Sequence, residues 1–165
     1  MTLFRRKAKP DPAEAIRGLR QRALTVEATE LGLAPTAGRP HVWGVLMETG
    51  YPEAIATLVV LAEGSTSLYF SNGGGVIGAG EHEAVRVASE SLLSTAETQL
   101  AHLEGVVATP PPDIGRVRFY LRTFAGTVGA GANEADLGEG RHILSPLFHS
   151  AHAVITAIRE STPPS

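Results

Sequence analysis

The sequence predicts an α+β fold, a two-layer domain in which helices pack on an antiparallel sheet of about four or five strands. Three observations support this prediction. Apolar residues recur at helical spacing near the start, in the middle and at the end of the chain, β-type patterns fill the stretches between them, and short turn signals join the early strands. The resulting order, α–β–β–β–α–β–(β)–α, groups strands together and therefore indicates antiparallel pairing.

The composition is typical of a globular chain, since 43% of the 165 residues are hydrophobic and 19% are charged. We expect one domain over residues 11–160, with a flexible basic tail at 1–10 and a disordered tail at 161–165. The net charge of −3 argues against nucleic-acid binding, and the lack of cysteine excludes disulfides and thiolate chemistry. With no apolar run of membrane-spanning length and no secretory signal, the predicted location is the cytoplasm, without membrane insertion.

The first helix is predicted over residues 12–31. Asp11 suits the N-cap position, Pro12 suits the first helical position, and Glu14 completes a capping box. Gly32 suits the position just beyond the last turn, where a left-handed backbone conformation ends many helices.

Three strands follow, at 41–49, 54–62 and 66–71. The turns between them are marked by Gly50-Tyr51-Pro52 and by Glu63-Gly64-Ser65, so the strands form an antiparallel meander. The middle strand is apolar at nearly every position, a pattern typical of a strand that is covered on both faces.

The second half of the chain predicts a long helix over 81–103, an alternating strand over 116–123 and a final helix from Ser145 to about Glu160. The glycine-rich stretch 126–140 between the last two could hold one more short strand. The order of elements resembles that of the profilin, longin and roadblock group of small sensory or scaffolding domains. This resemblance rests on element order alone, and fold does not determine function.

The segment 73–78, GGGVIG, matches the G-x-G-x-x-G letters of a dinucleotide-binding turn. That motif requires a parallel strand before it and an acidic residue at the end of the next strand, whereas here the chain is still helical about twenty residues on. Glu81 and Glu83, in the first helical turn, would also repel a phosphate. We interpret the glycines as a structural turn, and a ligand site on the turn is the alternative. Its residues would be Asn72, Gly73, Gly74, Gly75 and Gly78.

The strand at 116–123 carries a row of polar side chains on one face: Arg116, Arg118, Tyr120 and Arg122. Three guanidinium groups along one strand can pair with carboxylates of a partner, and arginine and tyrosine are enriched at protein interfaces. A solvated face that pairs with the protein's own glutamates is the alternative. The row is our candidate for an interaction surface.

The sequence lacks at least one required residue of each catalytic motif that we considered. Glu81-His82-Glu83 lacks the second histidine of a zinc-protease helix, since Arg86 stands at that position. No G-x-S-x-G motif occurs. His149 and His152 could share a helix edge with loop ligands, but their spacing alone does not make a metal site. We predict no metal and no cofactor.

The function favoured by the sequence is a non-catalytic protein-interaction or regulatory domain that captures a partner or forms a homodimer. The first alternative is a small-ligand or sensory domain that uses the 72–80 turn. The second is a small enzyme whose pocket would combine Glu48, Tyr69 and His82 with the 126–140 loop.

Overall fold

The computed structural model describes residues 11–162 and contains one seven-stranded sheet in the order β4-β3-β2-β1-β6-β7-β5. All of its strand ladders are antiparallel, so the α+β class and the meander are confirmed. The prediction of four or five strands missed two, β4 and β5, because a strand of two residues leaves no periodic pattern. The strands are Val42–Gly50 (β1), Ile55–Leu61 (β2), Thr66–Phe70 (β3), Gly75–Val76 (β4), Glu104–Gly105 (β5), Arg116–Thr123 (β6) and Gly126–Asn133 (β7).

The helices are Pro12–Thr25 (α1), Glu83–Gln99 (α2), Glu134–Gly138 (α3) and Ser145–Ser161 (α4). The helix predicted over 12–31 ends early because Val26 is extended, with ψ 139°, and the chain then forms a separate 3-10 turn at Ala28–Leu31. The ends of the helix predicted over 81–103 are likewise 3-10 turns.

The tail predictions have different outcomes. The basic tail at 1–10 lies outside the described residues. The tail predicted at 161–165 begins too early, because Ser161 is the last residue of α4. The stretch predicted as a loop with one possible strand, 126–140, holds the full-length β7 and the short α3.

Apolar side chains pack on both faces of the sheet, so the two-layer prediction is wrong and the described chain forms three layers. On the first face α2 and α4 lie side by side over one cluster of strand residues, which includes Val45, Leu58 and Phe119. On the second face Ala23 and Val26 contribute the end of α1 to another cluster. The second cluster's strand residues are Trp43, Leu46, Val59, Leu61, Tyr69 and Tyr120. All nine residues of β1 are buried, as a strand between two layers must be.

Two long connections explain how both faces are covered. α2 leads from β4 at one edge of the sheet to β5 at the other edge, across the first face. The chain then returns through residues 106–115 over the second face, where Val106 packs in the second cluster, and enters β6. None of the described helices combines the length and the apolarity needed to cross a membrane.

Glu97 on α2 anchors the beginning of β1. Its carboxylate accepts hydrogen bonds from the backbone N–H groups of His41 (2.9 Å) and Val42 (3.1 Å) and lies 3.0 Å from Nδ1 of His41. Burial raises the pKa of Glu97, but these hydrogen bonds outweigh it and lower the pKa below its ordinary value.

We expect Glu97→Gln to lower the free energy of unfolding by about 1–3 kcal/mol at neutral pH, because backbone donors lose a charged acceptor. Since folding lowers the pKa of Glu97, its stabilisation is complete above the unfolded pKa and is lost as pH falls through the folded pKa. Urea unfolding at a series of pH values should therefore show the two proteins converging in acid. Glu90→Gln is the control. The side chain of Glu90 is 61% exposed and forms an ion pair with Arg39, so this substitution should change stability by less than about 1 kcal/mol. A pH-independent difference for Glu97→Gln would contradict this account.

Candidate functional site

A buried ion pair joins α1 to the centre of the sheet. Glu48 on β1 is 0% exposed, and Arg20 on α1 donates from Nε to Oε2 at 2.8 Å and from Nη2 to Oε1 at 2.7 Å. The hydroxyl of Thr57 on β2 also donates to Oε2, at 2.7 Å. Nη2 of Arg20 donates in addition to the carbonyl oxygen of Thr109, at 2.6 Å. The pair thus ties α1, two strands and the 106–115 segment together.

Two titratable neighbours of Glu48, Arg20 and Tyr69, have raised pKa values. Hydrogen bonding to Glu48 raises the pKa of Arg20 above its ordinary value, against the opposing effect of burial. Tyr69 on β3 has a buried hydroxyl with no hydrogen-bond partner among residues 11–162, and burial together with nearby Glu48 raises its pKa above the ordinary value. The Glu48 carboxylate accepts three hydrogen bonds, two from Arg20 and one from Thr57, and the Tyr69 phenol keeps its proton at neutral pH.

A cleft of about 280 Å³ opens beside the ion pair, between the first half of α1 and the ends of the neighbouring strands. Three of its residues are apolar and five are polar or charged. A few polar groups converging among apolar walls are typical of small-ligand sites, and this volume lies near the lower limit for them. The lining residues are Ile16, Arg17, Arg20, Glu48, Ile55, Thr57, Ser71 and Pro111.

The glycine-rich turn lies at the β4 edge of the sheet, where it contacts the first turn of α1. A Cβ on Gly73 would lie 2.6 Å from Cβ of Pro12, and a Cβ on Gly75 would lie 2.7 Å from Cα of Tyr69. These two glycines therefore allow close approach of backbone and helix. Asn72, Gly74 and Gly78 are exposed, and nothing lies within 4 Å of a Cβ built on Gly78. Ligand binding by the turn stays a prediction.

The structure divides the arginine row of β6. Arg116 is exposed and Arg118 is half-buried, whereas Tyr120 and Arg122 are buried beneath the layer formed by α1 and the 106–115 segment. The Tyr120 hydroxyl donates to the carbonyl oxygen of Pro110 at 2.6 Å. Only the first two residues of the row remain accessible to a partner in this conformation.

Arg122 holds the C-terminal end of α1. Its guanidinium donates to the carbonyl oxygens of Ala23 at 2.7 Å and Val26 at 2.9 Å, and it lies 4.6 Å from the centre of the Trp43 ring. Burial lowers the pKa of Arg122 from its ordinary value. An arginine predicted to face solvent or a partner therefore fastens the protein's own helix.

The four parts of the alternative enzyme pocket do not converge. Glu48 and Tyr69 share the second face of the sheet, but His82 lies beyond β4, just before α2. The 126–140 stretch forms β7 and α3, and β7 is four strands away from β3. Within residues 11–162, no three potential metal ligands gather into a site.

A second candidate surface lies on α2, on the first face of the sheet and therefore opposite the cleft. Its outward positions 84, 87, 91, 94 and 98 are all exposed and all uncharged, and we call them the α2 stripe. Their residues are Ala84, Val87, Ser91, Ser94 and Thr98. Val87 is 65% exposed and also borders a groove of about 420 Å³ between α2 and the β2–β3 hairpin, where Leu61 and Leu93 contribute apolar surface.

Sequence reasoning found Glu48 and Tyr69 but missed Arg20, Arg17 and Thr57. Neither arginine has a local pattern that separates it from other helix-surface cations, so only the tertiary structure identifies them. The α2 stripe had a readable signal, because uncharged residues recur along the predicted helix at alternating steps of three and four.

Comparison with known protein families, with curated proteins and with solved structures finds no match to this chain. The resemblance to profilin, longin and roadblock domains stays a prediction from element order.

Proposed function

We propose that this protein is a non-catalytic interaction domain that forms a homodimer through the α2 stripe. The observation that carries the proposal is the distribution of charge on α2. Four residues of the helix are charged, and all four lie on the flank next to the stripe rather than on it. They are Glu83, Arg86, Glu90 and Glu97.

Three of these charged side chains already make hydrogen bonds within the chain. Arg86 donates to the carbonyl oxygen of Glu81 at 2.6 Å, Glu90 accepts from Arg39 at 2.6 Å, and Glu97 holds the start of β1. Covering the α2 stripe would therefore bury no charged side chain of α2 and would cost little desolvation.

The spacing and size of the stripe residues suit a second helix. Steps of three and four residues keep one line of side chains facing a partner, as in coiled-coil packing, and small side chains allow the helix axes to approach closely. The groove beside Val87 is concave and lies next to the convex stripe, with apolar surface from Leu61 and Leu93 and with Arg86 and Glu90 on its charged side. A two-fold interface must be self-complementary, because each copy offers the same patch to the other.

The test is sedimentation equilibrium over a range of concentrations. We expect the wild type to shift from the monomer mass of 17.3 kDa toward twice that mass, and Ser91→Arg to remain monomeric because it places an unpaired charge in the interface. Gln21→Arg, an equivalent charge gain at an exposed position of α1 on the opposite face, is the matched control and should dimerise as the wild type does.

A monomeric wild type at every concentration, or a Ser91→Arg protein that still dimerises, would overturn the proposal.

The accessible pair Arg116 and Arg118 is a second candidate surface, for a partner that carries carboxylates. Loss of partner capture in an Arg116→Ala/Arg118→Ala variant, with dimerisation intact, would favour it. The cytoplasm remains the predicted location for either activity.

A further inference from the structure

We infer that the cleft beside α1 binds a small monocarboxylate with an apolar body. The inference is independent of the proposed dimerisation, because the cleft lies on the second face of the sheet and the α2 stripe belongs to the helices on the first face. Three properties of the lining support it: its charge, its supply of hydrogen-bond donors and its apolar walls.

The cleft carries one net positive charge. Glu48 is compensated by Arg20, whereas Arg17 is exposed, and no carboxylate among residues 11–162 lies within salt-bridge distance of it. A single uncompensated guanidinium at the edge of a partly apolar cleft favours one negative charge over two.

The free hydrogen-bonding groups are mainly donors. Arg20 uses Nε and Nη2 in the ion pair, and its Nη1 makes no hydrogen bond within the described residues. Ser71 accepts from the backbone N–H of Ile55 at 2.8 Å, which leaves its own hydroxyl proton available. With Arg17, these groups offer an acceptor-only ligand such as a carboxylate several donors from the α1 and strand walls of the cleft.

The apolar walls of the cleft favour a ligand whose body is also apolar. Ile16, Ile55 and Pro111 surround the polar groups with apolar surface. The volume of 280 Å³ corresponds to about nine water-sized groups. The ligand class is thus an acid with on the order of ten non-hydrogen atoms, whose carboxylate meets the arginines and whose chain or ring packs on the isoleucines.

The experiment is a titration followed by ¹H–¹⁵N correlation spectra, with 3-phenylpropionate as the probe and with its neutral amide and acetate as comparisons. We expect 3-phenylpropionate to cause saturable shifts of amides in 16–20, 55–57 and 71. The amide should bind at least about 10-fold more weakly because it lacks the charge, and acetate should not saturate because it lacks the apolar body.

Two substitutions of Arg17 test whether its positive charge binds the carboxylate of the probe. Arg17→Gln should weaken binding of 3-phenylpropionate by about 10-fold, equivalent to about 1.4 kcal/mol, and Arg17→Lys should retain part of the affinity. Arg159→Gln, at an exposed arginine of α4, should bind as the wild type does. The absence of saturable shifts at the cleft, equal affinity for the amide, or unchanged binding by Arg17→Gln would each overturn the inference. Sedimentation of the same samples tests dimerisation separately, so the two proposals can fail independently.

Discussion

Arg20→Met is expected to lower the free energy of unfolding by about 3–5 kcal/mol, the largest loss we foresee for a single substitution in this protein. The reason is the complete burial of Glu48. Without Arg20, its carboxylate keeps only the hydroxyl of Thr57 as a hydrogen-bond donor. No other cation among residues 11–162 lies within salt-bridge distance of Glu48, and Arg118, its cross-strand neighbour on β6, makes no ion pair with it. An unpaired charge in the interior costs far more than the pair itself contributes.

The double variant Arg20→Met/Glu48→Leu separates loss of the pair from the burial of an unpaired charge. Because apolar residues of similar volume often replace a buried pair without loss, we expect the double variant to recover most of the stability. Arg17→Met, which removes an exposed arginine from the same helix, should change stability by no more than about 0.5 kcal/mol. Guanidinium unfolding of the three variants and the wild type gives these values. A double variant as unstable as Arg20→Met would show that Arg20 matters for a reason other than the charge of Glu48.

Gly75→Ala is expected to lower the free energy of unfolding by about 2–4 kcal/mol, from backbone strain together with steric overlap. The φ angle of Gly75 is +154°, a conformation that residues with a side chain rarely adopt. A Cβ there would also lie 2.5 Å from the carbonyl oxygen of Leu68 and 2.7 Å from Cα of Tyr69. Both contacts involve backbone atoms of the neighbouring strand, which cannot rotate away as a side chain would.

Gly74→Ala is the matched control from the same turn. No unusual φ is found at Gly74, and the nearest atom to its Cβ would be Cδ2 of Phe70, at 4.0 Å, so we expect a change of less than about 1 kcal/mol. Thermal unfolding of both variants distinguishes the two roles of the turn. Equal stability of the two proteins would contradict the structural role of Gly75. Loss of a ligand's binding in a fully stable Gly74→Ala protein would instead support the binding role that the glycine pattern first suggested.

Much of the local structure was readable from residue patterns, because those patterns reflect local physics. Asp11 was predicted to cap α1, and its side chain does accept the N–H of Ala13, at 3.1 Å. The alternation of 116–123 placed Val117, Phe119 and Leu121 on one face, and all three are fully buried in the first cluster. The alternation did not reveal that α1 and the 106–115 segment cover the opposite face.

The candidate site shows the same division. Glu48 and Tyr69 were recognised as polar groups on strands that could face a common space, and the structure does place both under α1. Their partner Arg20 stands 28 residues before Glu48 in the chain, and no local pattern connects the two. The cleft, which is defined by α1, two strands and Pro111, could not be predicted for the same reason.

By itself, the sequence determined the α+β class, the antiparallel meander and the approximate positions of the helices and long strands, since hydrophobic periodicity and turn chemistry act over a few residues. The tertiary structure alone decided that α1 covers the second face, that Arg122 and Tyr120 are buried, and that Arg20 meets Glu48. Periodicity tells which side chains share a face, but the element that covers that face is chosen by packing over the whole chain. A polar row such as Arg116 to Arg122 therefore looks the same in sequence whether water, a partner or the protein's own helix lies against it.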